Sequence, residues 1–227
     1  MLKRFDKLPI EFQNKTVKRY YDYLKKKKIS LFLKRIFDIV MSFVLLILCL
    51  PIFIILSIWI KIDSKGPVFY RQERMTKYGR KFKIIKFRTM ITGADKKGSL
   101  VTLSNDSRIT KVGNKIRKCR LDELPQLINV LKGEMSFVGT RPEVEKYVKN
   151  YSKKMFATLL MPAGITSFAS IKYKDEDEII KKYQKKGEQV DSIYIKRILP
   201  EKMKYNLDYL KDFSLLNDIK ICIKTVI

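Results

Sequence analysis

The chain has 227 residues, a net charge of +26 and no histidine. That length supports one domain with a substantial core, while the missing imidazole excludes histidine acid–base catalysis and histidine metal sites, leaving carboxylates, Lys, Arg and hydroxyls. The charge demands an anionic partner, open by composition among nucleic acid, anionic lipid and phosphorylated substrate, and Cys49, Cys119 and Cys222 lack Cys-x-x-Cys spacing and read as reduced packing residues.

Residues 1–35 carry twelve Lys and Arg against Asp6, Glu11 and Asp22, with Phe12, Tyr20, Tyr21, Tyr23 and Leu24 interleaved. A basic arm for nucleic acid, a solvated helix and an interfacial helix on anionic lipid all fit that pattern. The next element weakens the first. Residues 39–60 are uncharged and largely aliphatic, longer than the roughly 18 residues that mark a membrane helix, and a soluble nucleic-acid binder has no use for them. A spanning helix prefers its Lys and Arg on one flank, yet both flanks are basic: Lys34 and Arg35 before, Lys61, Lys65, Arg71 and Arg74 after. Pro51 removes a hydrogen bond near the middle. Each half is then about 15–18 Å long, too short for ~30 Å of hydrocarbon. A helix that enters, bends at Pro51 and returns satisfies both flanks; a single span with a tolerated proline is the competing reading.

Gly66-Pro67 closes this element. Residues 68–70 and 82–85 read as short strands turning at Tyr78-Gly79. Residues 92–107 are polar and read as a surface loop, of the kind that becomes a lid in some enzymes. A helix from Asp106 to Cys119 follows, bringing Arg108, Arg117 and Arg120 within reach of Asp122 and Glu123. Leu124-Pro125, then Leu127, Val130 and Leu131, predict a helix with proline in its first turn. Carboxylates at such a terminus are favoured as anions. Asp122 there is either a nucleophile or metal ligand, or simply part of a cap. The acidic run at 175–178 reads as a helix start rather than a cation site. The tail, 205–227, fits a core helix and an interfacial helix equally.

Residues 118–143 combine Asp122-Glu123, Leu-Pro-Gln-Leu, Asn-Val-Leu-Lys-Gly, Met-Ser, Val-Gly and Arg141-Pro142. That run closely resembles the signature of the bacterial sugar transferases, the monotopic phosphoglycosyl transferases, and the likeness extends from about Lys34 to the C-terminus. Phe87-Arg88-Thr89-Met90 resembles another family element, and residues 161–170 resemble the family's Pro-Gly-Ile-Thr-Gly segment with Ala163 inserted, expected as a structural loop near substrate. The position of Pro51 matches the family's re-entrant helix. The expected architecture is mainly α with a small β-hairpin (α+β): a basic amphipathic extension at 1–33, a re-entrant membrane helix at 34–62, and a cytosolic domain at 63–227 with interfacial amphipathic helices.

The resemblance implies transfer of a sugar 1-phosphate from a UDP-sugar to undecaprenyl phosphate, at the cytoplasmic face of a bacterial inner membrane and through a phosphosugar–Asp intermediate. Asp122 would be the nucleophile and the Mg²⁺ ligand, with Glu123 assisting position or proton transfer. Lys86, Arg88, Arg117, Arg141 and Pro142 would surround the donor diphosphate, since Arg presents a planar fork to phosphate oxygens. The partners expected are anionic membrane lipid and the two substrates, without nucleic acid. The alternative is a non-enzymatic, single-span adaptor whose termini lie on opposite sides of a membrane.

Overall fold

The computed structural model describes residues 2–94, 106–173 and 176–226. Helix α1 (Lys15–Lys26) starts at Asn14, whose side-chain oxygen accepts from the Val17 N–H at 3.0 Å, a cap worth ~1 kcal/mol. Val17, Tyr20, Tyr21 and Leu24 recur at helical spacing and are buried with Leu8 and Phe12 of the preceding turns. They share one core with Val138, Tyr147, Leu160, Ile198, Leu207 and Ile221. Burying a Leu or Phe contributes roughly 2 kcal/mol, so these contacts hold α1 firmly. The boundary expected after residue 33 therefore does not separate an appendage from a domain. Protein covers the apolar face of α1, an arrangement absent from the three readings of its sequence.

Only Lys27 separates α1 from α2 (Lys28–Leu48), which is followed by α3 (Leu50–Asp63) at a bend of 61°. The bend falls at Cys49, just before Pro51 in the first turn of α3, where proline has no N–H to continue the ladder. Among the described residues no single helix is long and apolar enough to cross a membrane, but this bent pair passes by length and composition together. Phe43, Ile47, Leu48, Leu50, Ile54 and Ile55, on both sides of the bend, are exposed.

Strands β1 (Phe69–Thr76) and β2 (Arg80–Phe87) form an antiparallel hairpin, with Phe69 opposite Phe87. It is longer than the segments expected at 68–70 and 82–85 but turns at the expected residues. Tyr78 and Gly79 both have positive φ, 61° and 69°. A left-handed Tyr costs roughly 1–2 kcal/mol. Its hydroxyl accepts from the Lys3 N–H at 2.9 Å, and the Lys77 ammonium lies 5.0 Å from its ring centre, contacts that offset the strain.

Helices α4 (Lys111–Lys118) and α5 (Gln126–Lys132) come next, then β3 (Met135–Val138) and α6 (Glu145–Val148). Strand β4 (Ala163–Thr166) pairs parallel to β3, Met135 opposite Ala163. This corrects the loop expected at 161–170: four residues carry no alternation of their own, and only the distant partner makes them a strand. The pairing is tight. A Cβ on Gly164 would lie 2.2 Å from the Gly139 nitrogen, so glycine is required there.

The C-terminal half is helical: α7 (Phe168–Lys172), α8 (Glu176–Gln184), α9 (Val190–Ile193), a π-helical turn (Tyr194–Ile198), α10 (Leu199–Lys211) and α11 (Leu215–Val226). The class is α+β and mainly helical as expected, with two small sheets where one hairpin was predicted. Glu176, Asp177 and Glu178 occupy the first turn of α8, as the helix-start reading has it; Asp175 and most of the loop at 92–107 lie outside the described residues. In the tail, α10 buries Met203, Leu207 and Leu210 in the core, whereas α11 buries Ile221 but exposes Leu216 and Ile223.

Candidate active site

Asp122 and Glu123 lie in a 3-10 turn, Leu121–Glu123, between α4 and α5. Helix α4 starts later than predicted because Asp106 is tied to Arg108, 2.5 Å away. Its first amides are capped twice: Thr110 Oγ1 accepts from the Gly113 N–H at 3.0 Å, and Asp63 Oδ2, from the last residue of α3, accepts from the Val112 N–H at 3.1 Å. Arg120, at φ 54°, breaks α4 and turns the chain into the dyad. Leu121 and Leu124 bracket the two carboxylates and pack against a small core of Leu56, Ile60, Phe87, Val112 and Ile116. The turn that carries the dyad therefore sits against α4 and β2.

Helix α5 is held at both flanks. Buried Asn129 accepts from the Ile85 N–H at 3.0 Å and donates to the Lys83 carbonyl at 2.9 Å, fastening α5 to β2. Arg35, from α2, donates to the last carbonyls of α5, Val130 at 2.7 Å and Leu131 at 2.9 Å. Gly133, at φ 79°, completes that C-terminus.

Lys86 Nζ is 2.7 Å from Glu123 Oε1, and Arg141 Nη2 is 3.6 Å from the same oxygen. Burial alone would raise the Glu123 pKa, but Lys86 and Arg141 outweigh it and hold the carboxyl down at about 2. Asp122 forms no ion pair among the described residues. Burial, joined by the charge of Glu123, raises its pKa against the pull of Lys86 and Arg117. Two neighbouring carboxylates thus differ in character. Glu123 is a committed anion, whereas Asp122 has no ion-pair partner among the described residues and a raised pKa.

Of the predicted residues, Lys86, Arg117 and Arg141 do gather about the dyad. Pro142 is buried, its carbonyl accepting from Arg74 Nη1 at 3.2 Å. Arg88 goes elsewhere. It is 4% exposed and donates to the Ser64 and Lys65 carbonyls at 2.6 and 2.7 Å, fastening the two residues that follow α3. Its expected place around a diphosphate is replaced by a structural role.

Three contributors had no such role in the sequence. Glu143 is buried and accepts from the Tyr194 hydroxyl at 2.6 Å, while Arg74 reaches the Pro142 carbonyl. Glu143 follows Arg141-Pro142 directly, a local signal; Tyr194, in the π-helical turn, offers none. No group of three or more Asp, Glu or Cys able to hold a metal occurs among the described residues. One uncommitted carboxylate, Asp122, still suits Mg²⁺, which takes one or two carboxylates and fills its octahedron with phosphate oxygens and water.

The bacterial sugar transferase family model matches residues 29–227. The chain is 34% identical over 199 residues to a UDP-N-acetylgalactosamine-undecaprenyl-phosphate N-acetylgalactosaminephosphotransferase of Aeromonas hydrophila, covering 86% of this chain and 43% of that one. It is 35% identical over 198 residues to a UDP-glucose:undecaprenyl-phosphate glucose-1-phosphate transferase of Escherichia coli (strain K12), covering 86% and 39%. A transferase of the same description from Caulobacter vibrioides is 32% identical over 197 residues, covering 85% and 68%. The chain spans about two fifths of the length of the first two relatives.

Proposed function

The chain belongs to the bacterial sugar transferase family, and we propose that it moves a sugar 1-phosphate from a UDP-sugar to undecaprenyl phosphate at the cytoplasmic face of a bacterial inner membrane. The observation that carries this is the asymmetry of the dyad, with Asp122 unpaired beside a Glu123 neutralised by Lys86 and Arg141. A carboxylate oxygen of Asp122 attacks the sugar-bearing phosphorus. The bond from that phosphorus to the bridging oxygen breaks, and UMP departs with the electron pair. An oxygen of the lipid phosphate then attacks the same phosphorus, the Asp122 ester bond breaks, and the carboxylate is restored as the lipid-linked sugar diphosphate leaves.

Lys86, Arg117 and Arg141 offset the charge of the donor. Glu123, with its pKa near 2, holds Lys86 and Arg141 in place and is a poor proton carrier at neutral pH. Asp122 is the residue that would hold Mg²⁺, which would supply further charge neutralisation. The relatives' names, which specify UDP-sugar donors or undecaprenyl phosphate acceptors, support the substrate assignment.

The re-entrant reading of the bent pair has independent support. Leu8, Phe12 and Leu24, before it, share a core with Leu160, Leu207 and Ile221, after it. That shared core supports both ends of α2–α3 lying on one side of a bilayer, where basic flanks meet anionic headgroups.

Intact-protein mass after mixing enzyme, Mg²⁺ and a panel of UDP-sugars without lipid tests the reaction. A sugar-phosphate adduct is expected on the wild type and not on Asp122→Asn. UMP release persisting at the wild-type rate in Asp122→Asn would overturn the mechanism.

A further inference from the structure

The backbone that follows Arg141 is held from two sides. Arg74 donates to the Pro142 carbonyl at 3.2 Å, its own fork fixed by Gln72 Oε1 at 3.0 and 2.6 Å. The Met75 N–H donates to the Glu143 carbonyl at 2.8 Å, so β1 fastens both residues after Arg141. From the other side the Tyr194 hydroxyl donates to Glu143 Oε1 at 2.6 Å, and Glu143 and Tyr194 are only 6% and 4% exposed. We propose that Tyr194 is a positioning residue for the donor: through Glu143 it sets where Arg141 meets the diphosphate. The inference rests on the transferase reading above and adds a residue to it.

Arg141 needs such a support. Its contact with Glu123 is 3.6 Å long, beyond a good hydrogen bond, so Glu123 alone does not fix the guanidinium. Glu123 raises the Arg141 pKa most, and Glu143 and Tyr194 add to that pull. The Arg141 side chain is 41% exposed, so a ligand can reach it. Tyr194 is in turn held rigidly. The Tyr147 ring lies against it, centres 4.6 Å apart, and the Lys202 ammonium is 5.5 Å from its centre, with Lys202 paired to Glu176 at 2.7 Å. Burial pushes the Tyr194 phenol well above its ordinary pKa, so it keeps the proton that Glu143 accepts. Tyr194 also opens the π-helical turn, a form that is rare and gathers at functional sites.

The test compares Tyr194→Phe with Tyr147→Phe, each made in the otherwise wild-type chain and in Arg141→Ala. Both variants keep a ring and lose one hydroxyl, since Tyr147 donates to Asp191 Oδ1 at 2.7 Å rather than to Glu143. The donor is the UDP-sugar that labels the wild type, the acceptor is undecaprenyl phosphate, and kcat and donor KM are read separately. Tyr194→Phe is expected to raise the donor KM about fivefold with kcat changed less than about twofold, whereas Tyr147→Phe leaves both near the wild type. In Arg141→Ala the Tyr194→Phe change adds nothing further, the non-additivity of residues that act in series. An unchanged donor KM in Tyr194→Phe overturns the proposal. So does an equal rise in Tyr147→Phe, which marks general loosening of the fold, or a Tyr194→Phe effect that persists in full without Arg141. A wild type that forms no adduct with any UDP-sugar overturns the covalent transferase reading, and with it the basis of this inference.

Discussion

The ammonium of Lys34 lies 2.5 Å from Oδ2 of Asp218, with both side chains almost fully buried. Lys34 also donates to the Val138 carbonyl at 2.8 Å, and the Tyr209 hydroxyl donates to the other Asp218 oxygen at 2.7 Å. The pair therefore joins α2, β3, α10 and α11 with its polar atoms satisfied. Removing one partner strands the other as a buried charge, at a cost of about 3–5 kcal/mol. Asp218→Ala is expected to lower the urea midpoint accordingly, and Lys34→Met with Asp218→Leu to recover most of the loss. A single-variant cost below ~1 kcal/mol would mean that water screens the pair.

The dyad makes a prediction in pH. On the proposed mechanism Asp122 must be ionised to attack, and burial raises its pKa. The acid limb of the donor half-reaction is therefore expected above the value of an ordinary Asp, about 3.9. Glu123→Gln removes a charge that raises Asp122 and leaves Lys86 without its partner, so the limb moves to lower pH even as the rate falls. The stability linkage of Glu123 runs the other way. Its pKa is depressed to about 2, so its contribution is present above the unfolded value of about 4.3 and is lost as pH falls toward 2. Stopped-flow UMP release across pH measures the first effect and acid unfolding the second. A limb that stays fixed in Glu123→Gln means that the two carboxylates are uncoupled.

Arg88 and Arg141 should fail differently. Arg88→Ala takes the donor from the Ser64 carbonyl just past α3, while Thr92 Oγ1 still donates to the Lys65 carbonyl, a loss of ~1–2 kcal/mol seen in thermal melts, with the donor KM changed little. Arg141→Ala should melt near the wild type and raise the donor KM about tenfold or more, the ~1.4 kcal/mol or above expected of a charge-assisted contact. Reversal of these two profiles would return Arg88 to the donor site.

Topology can be read by labelling. Single cysteines at Lys18 and Lys182, in a background with Cys49, Cys119 and Cys222 replaced, are both expected to react with an impermeant maleimide in inside-out vesicles. Neither should react in intact spheroplasts. Opposite accessibility at the two positions would require a spanning helix and a broken core.

Local features were the legible ones. The apolar run with Pro51, the turn at Tyr78-Gly79 and the dyad each announce themselves within a few residues. What escaped was built by partners far apart in sequence. Strand β4 exists only through β3, and Asp63 caps α4 from the end of a helix whose sequence speaks of membrane. Arg88 resembled a phosphate ligand because an arginine beside a motif looks alike whether it meets phosphate or the carbonyls of a helix end. The apolar face of α1 was visible, but its cover is α10 and the neighbouring turn (Met155–Leu160), which periodicity cannot name.

The packing of α1 on α10 also sets an order of events during synthesis. Helix α1 is made well before the α10 surface that covers it. Pairings across such separations close slowly, so α1 must wait while the bent apolar pair behind it is already emerging. On the re-entrant reading proposed above, that pair enters the bilayer before the core exists. On that reading insertion of α2–α3 precedes folding, and the growing chain assembles the rest of its core while tethered to the bilayer.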